Sequence, residues 1–380
     1  MKNLFLCFMV SLTASCNGHG PTAPINGTAT YEKFTRNSNL SSTTEFVPIK
    51  YAEVDAFVDR IKVASGSTRE DGTFTINVPL QYNNLSIELK VRTKCTKYNV
   101  EVTTHDSTFF NSEMYSISAI VNNWDTPAAL VATRDENTGR IAGAFNIYAQ
   151  IIRGFSWFES HVSWKPKFPS LKVHWEAGNS GDRCSCFFPG ILGSHLISIQ
   201  DLPSNQDDLD DSVILHEVGH YIQKVFSVNH SPGGDHYLAC GENDLDPRLA
   251  WSEGWADAYA QIVIGNGLYI DNSSTQGYFT ADFENLCDDD FGPRSEFTIA
   301  AMYIDLVDGS ADMPIDQDND GLAYSFDEVF SGMRRVRGFN PNVLNYYKAM
   351  VPEILTRELW NEKFAAIGLD SETLKAQLDN

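Results

Sequence analysis

Positive charge is scarce in this sequence. Its 380 residues hold 28 Lys and Arg against 50 Asp and Glu, a formal net charge of −22. A field of that sign repels phosphate backbones and anionic lipid headgroups, so nucleic acid and electrostatic docking on a membrane are excluded as partners. Long apolar runs are missing as well. No stretch of about 18 apolar residues occurs, and no segment is long and apolar enough to cross a bilayer as a helix. Cysteine is sparse, with seven residues and no Cys-x-x-Cys pair, which argues against a four-cysteine zinc site. Neither an internal repeat nor a low-complexity tract is present. What the sequence does have is 42% hydrophobic and 12% aromatic content. That is too much for a disordered acidic chain, and at this length it is enough for two or three domains with real cores.

The first residues bear on location. Lys2, the apolar run Leu4 to Val10 and the small polar run Ser11 to Ser15 read as an export signal over residues 1–15. Cys16 follows directly. A cysteine in that place resembles the lipobox of bacterial lipoproteins, although Thr13 stands where the lipobox usually has leucine. The resemblance implies an exported cell-envelope lipoprotein, in the outer membrane or on the cell surface, joined to the membrane only through lipid on Cys16. Plain secretion is the other reading. Residues 16–24 have the Gly, Pro, Asn and Thr content of a tether. With Cys7 and Cys16 assigned to export, Cys95, Cys184, Cys186, Cys240 and Cys287 remain, an odd number that cannot all pair within one chain. Cys240 and Cys287 can tie loops together, and Cys184-Ser-Cys186 can form a local pair or a metal clip.

Residues 25–104 alternate in the manner of short strands. Phe74, Ile76 and Val78 share one phase, and Leu85, Ile87, Leu89 and Val91 another. Asp71-Gly72 supplies a hairpin-turn signal. This pattern predicts a small β-sandwich. Its segment Gly66 to Val78 resembles the strand-turn of transthyretin-like and carboxypeptidase-regulatory-like domains, which implies an accessory module. Residues 105–140 read as a linker. From residue 141 to 380 the pattern changes: an apolar stripe of Phe145, Tyr148, Ile151, Ile152, Phe155 and Phe158 predicts a helix. Strands follow at Leu171–Trp175 and His195–Gln200, and nearly every apolar run after residue 210 is helical. Strands first and helices after is an α+β arrangement.

One helix carries chemistry. Val213, Ile214, Leu215, Val218, Ile222 and Val225 predict a buried helix over residues 212–226, for which Asp210, Asp211 or Ser212 can act as cap. Within it stands His216-Glu217-Val218-Gly219-His220. Histidines four apart lie about 40° from each other around a helix, so both imidazoles reach one metal ion from the same face. Glu217 is turned by about 100° and can lean over the open side of that ion, where a carboxylate takes a proton from metal-activated water. Three polar groups in so apolar a helix are costly without such a purpose. A third protein ligand is needed. A second helical segment, Leu249 to Ile264 before Gly265, places Glu253 and Asp257 four apart. Glu253 can complete the ligand set, and Asp257 can accept from the far nitrogen of His216; Asp257 as the third ligand is the alternative.

The pair HEVGH and SEGWAD resembles the gluzincins, the thermolysin-type zinc metallopeptidases. The resemblance implies a zincin-like catalytic domain over residues 141–380, with zinc held by His216, His220 and Glu253, Glu217 as general base and acid, and Asp257 supporting His216. The substrate it implies is a peptide or protein. Ser252 and Ala256 stand where the family usually has Asn and Ser. The strand just before the active helix is implied to be an edge that pairs with extended substrate. The family also uses a late His or Tyr on the tetrahedral oxyanion, but no histidine follows His236, which leaves His230, His236, Tyr259 and Tyr303 as candidates.

Asp316, Asp318, Asp320, Gly321 and Asp327 match positions 1, 3, 5, 6 and 12 of a calcium loop, with an acidic surface loop as the plainer reading. Asp207, Asp208, Asp210 and Asp211 concentrate further negative charge before the active helix and can favour cations there. A different class of function also accounts for the chain: a surface-binding lipoprotein with a catalytically idle zincin-like fold. Such a protein would usually have lost Glu217 or a ligand, and none is lost here.

Overall fold

The computed structural model describes residues 20–104, 112–178, 184–190, 193–236, 238, 241–286, 291–314, 321–351 and 353–378. Cys16, Cys240, Cys287, Asp316, Asp318 and Asp320 lie outside them, and so do the export segment and most of the calcium loop.

The first part of the chain forms β1 (Thr22–Arg36), β2 (Ser42–Pro48), β3 (Glu53–Val58), β4 (Ile61–Ser67), β5 (Thr73–Pro79), β6 (Ile87–Arg92), β7 (Lys94–Cys95), β8 (Val100–Thr103), β9 (Ser116–Val121) and β10 (Ala128–Ala132). The long strand β1 organises one four-stranded sheet. Its first half pairs with β5, its second half with β2, and β10 runs parallel along its middle. A second sheet has the order β4-β3-β6-β9. The alternation seen in the sequence is the burial pattern. Phe74, Ile76 and Val78 of β5 and Ile87, Leu89 and Val91 of β6 are buried in one core, while Leu85 is exposed.

Three expectations about this region need correction. Thr22 to Pro24, read as the end of a tether, pair with Pro79, Val78 and Asn77 as part of β1. The range 25–104 is not one unit. Its strands β7 and β8 leave for a third sheet, while β9 and β10, from the segment read as a linker, complete the first two. Alternation marks a strand but is silent on its partner, which non-local packing decides. The turn at Asp71-Gly72 exists, with Asp71 Oδ1 accepting from Thr73 N at 2.9 Å. It joins β4 to β5 across two sheets instead of closing a hairpin, because Ala29 N of β1 donates to Gly72 O at 3.0 Å and captures the turn. The two-residue hairpin sits at Asp59-Arg60, both at positive φ (48° and 68°), between β3 and β4.

The third sheet adds β11 (Ser170–His174), β12 (Cys186–Phe188) and β13 (Ser194–Ser198), in the order β12-β13-β11-β8-β7. β13 is the strand expected to be an edge. It is covered by β12, which pairs with it antiparallel and carries the Cys184–Cys186 disulfide at its start.

Eight α-helices occur among the described residues: α1 (Ala142–His161), α2 (Asp211–Phe226), α3 (Pro247–Ile264), α4 (Glu296–Val307), α5 (Phe326–Arg335), α6 (Val343–Met350), α7 (Arg357–Phe364) and α8 (Ser371–Leu378). The fold is mixed α and β, with helices dominating the later half. An antiparallel ribbon, Leu268–Asp271 with Phe279–Asp282, interrupts them. Asp210 occupies the N-cap position of α2 but makes no cap bond; its Oδ1 accepts instead from Asn272 N at 2.7 Å and Asn272 Nδ2 at 2.5 Å. In α3, Asp246 caps the start by accepting from Arg248 N, and Gly265 ends the helix in the left-handed conformation (φ 90°).

α2 and α3 are buried almost all round, and they meet backbone to backbone. A Cβ on Gly219 would lie 2.8 Å from Ala256 Cα and 3.1 Å from Ala256 O, atoms that cannot swing aside. Trp255 Nε1 donates to Gly219 O at 3.1 Å across the same contact. In an exposed helix an alanine would stabilise relative to glycine. Here we expect Gly219→Ala to destabilise the protein by about 1–3 kcal/mol through overpacking, read as a lower denaturant midpoint at unchanged slope.

Candidate metal centre

The close approach of α2 and α3 sets their functional side chains face to face over a cleft of about 1040 Å³. His216 and His220 project from one face of α2. Their Nε2 atoms are 3.0 Å apart, and Glu253 Oε2 of α3 lies 3.4 Å from the first and 2.8 Å from the second. The three donor atoms all fall within 4.8 Å of one another.

The outer nitrogens are held. His216 Nδ1 lies 2.7 Å from Asp257 Oδ1. A carboxylate accepts, so Nδ1 donates its hydrogen, and Nε2 is the nitrogen that faces Glu253 and His220. On the other imidazole, Ser252 Oγ donates to Gln223 Oε1 at 3.3 Å and meets His220 Nδ1 at 3.4 Å. Asn229 Nδ2 donates to the same serine at 2.9 Å. Serine at position 252 thus does useful work where the resembling family has asparagine.

Electrostatics at this point favour a cation. Burial works against charge on His216, yet Asp257, Glu253 and Glu217 outweigh it and raise its pKa well above the ordinary histidine value. Burial would raise Glu253, and the imidazoles of His220 and His216 hold it well below the usual carboxylate range. Two imidazole Nε2 atoms, which an incoming ion would deprotonate, and a carboxylate oxygen converge in a buried spot; this is the donor set of a zinc site with two histidines and one glutamate, and the residues fit that ion.

Glu217, beside His216 on the next face of α2, is buried, and its Oε2 has no hydrogen-bond partner among the described residues. Burial raises its pKa, opposed by the two imidazoles. Asp257 lies behind the ligands, with its Oδ1 on His216.

Of the four oxyanion candidates, two are spent elsewhere. Tyr259 donates its hydroxyl to Gly154 O at 2.9 Å, and Tyr303 accepts from Trp251 Nε1 at 2.8 Å; both are fully buried and neither lines the cleft. His230 and His236 do line it. His236 Nδ1 is 2.8 Å from Glu296 Oε2, and its Nε2 is 3.8 Å from Glu253 Oε2. Burial opposes charge on His236, but the hydrogen bond and field of Glu296, with Glu253 behind it, carry its pKa up to about 9. Burial and Asp257 push the Glu296 carboxyl upward in turn.

Glu296 was not singled out in the sequence. It follows the cap Ser295 at the first position of α4, where an acid is commonplace, so no local signal sets it apart. It reaches the site because Gly254, next to Glu253, has no side chain: a Cβ there would lie 2.6 Å from Glu296 O and Ile299 Cβ. Asp327 is far from this centre in role. Its Oδ1 accepts from Ser163 N at 3.1 Å at the start of α5, and it belongs to none of the metal-type clusters found among the described residues.

For the ligand support we expect Asp257→Asn to weaken divalent-metal binding by about 10–100-fold, measured by chelator competition with Zn²⁺ or Co²⁺.

Comparison with known proteins bears on the same region. Residues 156–353 match the family described as the Mycolysin C-terminal domain, a range that contains every residue of the centre. Over 102 residues the chain is 30% identical to an uncharacterised protein of Archaeoglobus fulgidus, which is 27% of this chain and 28% of that protein's length. Among solved structures, a 9R-lipoxygenase from Cyanothece PCC8801 aligns over 36% of this chain and 24% of its own, at 15% identity and a TM-score of 0.15, too low to inform fold or site.

Proposed function

Because this chain belongs to the mycolysin C-terminal domain family, a thermolysin-like peptidase context, we propose that it is a zinc-dependent metallopeptidase that hydrolyses peptide bonds in peptides or proteins. The observation that carries this reading is the convergence of His216 Nε2, His220 Nε2 and Glu253 Oε2, with Glu217 Oε2, which meets no donor among the described residues, beside them.

His216, His220 and Glu253 would hold the ion. When bound, zinc supplies a Lewis acid that lets water ionise near neutral pH and polarises a carbonyl. Glu217 takes the proton from the attacking water as the water oxygen bonds to the carbonyl carbon. It returns that proton to the amine nitrogen as the C–N bond breaks. Burial of Glu217, which favours its protonated form, suits the second transfer. Asp257 fixes the tautomer of His216 and thereby the direction of its lone pair. His236, held by Glu296, offers Nε2–H to the oxygen that gains negative charge. Its Nε2 stands 3.8 Å from Glu253 Oε2, beyond hydrogen-bond range, and His236 lines the cleft. Export through residues 1–15, lipid on Cys16 and calcium at Asp316, Asp318, Asp320 and Asp327 are parts of the same proposal that rest on the sequence.

The test is Glu217→Gln. It should retain zinc at full stoichiometry by metal analysis and slow peptide hydrolysis by about 10²–10⁴-fold. A fully active variant would sink the mechanism. His236→Ala should lower kcat by about 10²–10³-fold with zinc content unchanged; an unaltered kcat would remove His236 from the oxyanion role.

A further inference from the structure

A second group of carboxylates stands apart from the metal centre. One oxygen from each of Asp207, Asp210 and Asp271 lies within 4.8 Å of the other two. Asp207 and Asp210 are 3% and 0% exposed. Each uses one oxygen locally: Asp207 Oδ2 accepts from Ser185 Oγ, and Asp210 Oδ1 accepts from Asn272. The other oxygen of each, Asp207 Oδ1 and Asp210 Oδ2, is buried and meets no donor among the described residues.

Neighbouring acids are treated differently. Asp208 is met by Arg134 at 2.9 Å and Arg140 at 3.6 Å, Asp201 by Arg140, and Asp211 by Lys33 at 2.6 Å and Arg153 at 3.7 Å. Among the described residues no Lys, Arg or His pairs with Asp207, Asp210 or Asp271. Among the described residues, cations answer the surrounding acids and leave these three unanswered. Two of those three, Asp207 and Asp271, lie on the wall of the cleft that holds Glu217 and His216, along with Val213 and Tyr269. The field of Glu217 reaches Asp207, and the fields of all three acids reach Tyr269, so the group is close to the reacting centre.

Buried carboxylates that face one another without a counter-charge are costly, and a cation entering the cleft relieves that cost. A calcium ion takes six to eight oxygens, so besides these three carboxylates it would need several backbone carbonyls or waters. A lysine ammonium needs only about three acceptors, and an arginine fork takes a carboxylate two-handed. Either carries an apolar stem that packs on surfaces such as Val213 and Tyr269. We propose that Asp207, Asp210 and Asp271 form a side-chain subsite that receives a lysine or arginine of the substrate next to the scissile bond. The enzyme then prefers peptides that are basic at that position. This rests on the peptidase reading above and adds its substrate class.

The experiment has three arms. Zinc-loaded protein is given a mixed peptide library and the cleavage sites are read by mass spectrometry. Lys and Arg should be enriched at least about fivefold at one position flanking the cut. Cleavage with no basic enrichment overturns the subsite and leaves the peptidase reading standing. Matched substrates with Lys or uncharged norleucine at that position should then show the kcat/KM ratio falling about tenfold in Asp271→Asn and in Asp207→Asn, the loss of one charge-assisted hydrogen bond. An unchanged ratio in both overturns it too. In the third arm, zinc-loaded Glu217→Gln is titrated with the Lys and norleucine peptides and, separately, with Ca²⁺. Tighter binding of the Lys peptide supports the subsite even if hydrolysis is never seen. Saturable Ca²⁺ binding that is lost in Asp271→Asn assigns the carboxylates to a metal instead and overturns it.

Discussion

The contact between the backbones of α2 and α3 is what the site depends on. Gly219 and Ala256 let the two helices touch where a side chain would hold them apart. The ligands on α2 then meet Glu253 and Asp257 on α3 at hydrogen-bond distances. The same device recurs one layer out. Gly254 admits the N-terminus of α4, and with it Glu296, which grips His236. Gly219 is next to His220, and Gly254 is next to Glu253. In both places a missing side chain beside a functional one brings the next helix within reach. A buried helix pair has little freedom to relax, so these positions tie stability to the geometry of the centre.

Charge is the second organising constraint. The net charge of −22 is not spread evenly over a solvated surface. Several acids are buried or half-buried around α2, and most are answered: Asp208 and Asp201 by arginine, Asp211 by lysine and arginine, Asp257 by His216. Near the cleft the balance tips. Glu253 and Glu217 surround the imidazoles with more negative charge than the described residues return, and Asp207, Asp210 and Asp271 lack any ionic partner among them. On the reading proposed above, a metal ion and a basic substrate side chain are the two cations that would complete this arrangement. The acidity that speaks against phosphate-bearing partners therefore works locally as an invitation to positive charge.

Strand β12 forms one wall of the cleft. That strand, with the Cys184–Cys186 disulfide at its start, takes the place beside β13 that the family resemblance implied for an extended substrate. Cys184, Ser185, Cys186 and Phe187 line the cleft, and Ser185 also holds Asp207. This wall of the cleft and Asp207 behind it are thus one connected piece of structure.

By itself the sequence determined the helices and their inner faces. A 3.6-residue period is local, so α2 and α3 are readable to within a residue or two and α1 by its apolar stripe, and so are i, i+4 pairs such as His216 with His220 and Glu253 with Asp257. The partnership of those two pairs followed from ligand chemistry, since two histidines demand a third donor. Strand phases in β5 and β6 were equally legible. Tertiary structure alone decided which strands pair, sending β7 and β8 to one sheet and recruiting β9 and β10 to the others, because hydrogen-bonded edges carry no address in the chain. It alone brought Glu296 to His236 across 60 residues. And it alone separated Asp207 from Asp208. The two are adjacent in sequence and identical in chemistry, but one faces arginines and the other faces the cleft. The role of a buried carboxylate is set by the cation that reaches it, and that is a property of three-dimensional neighbours.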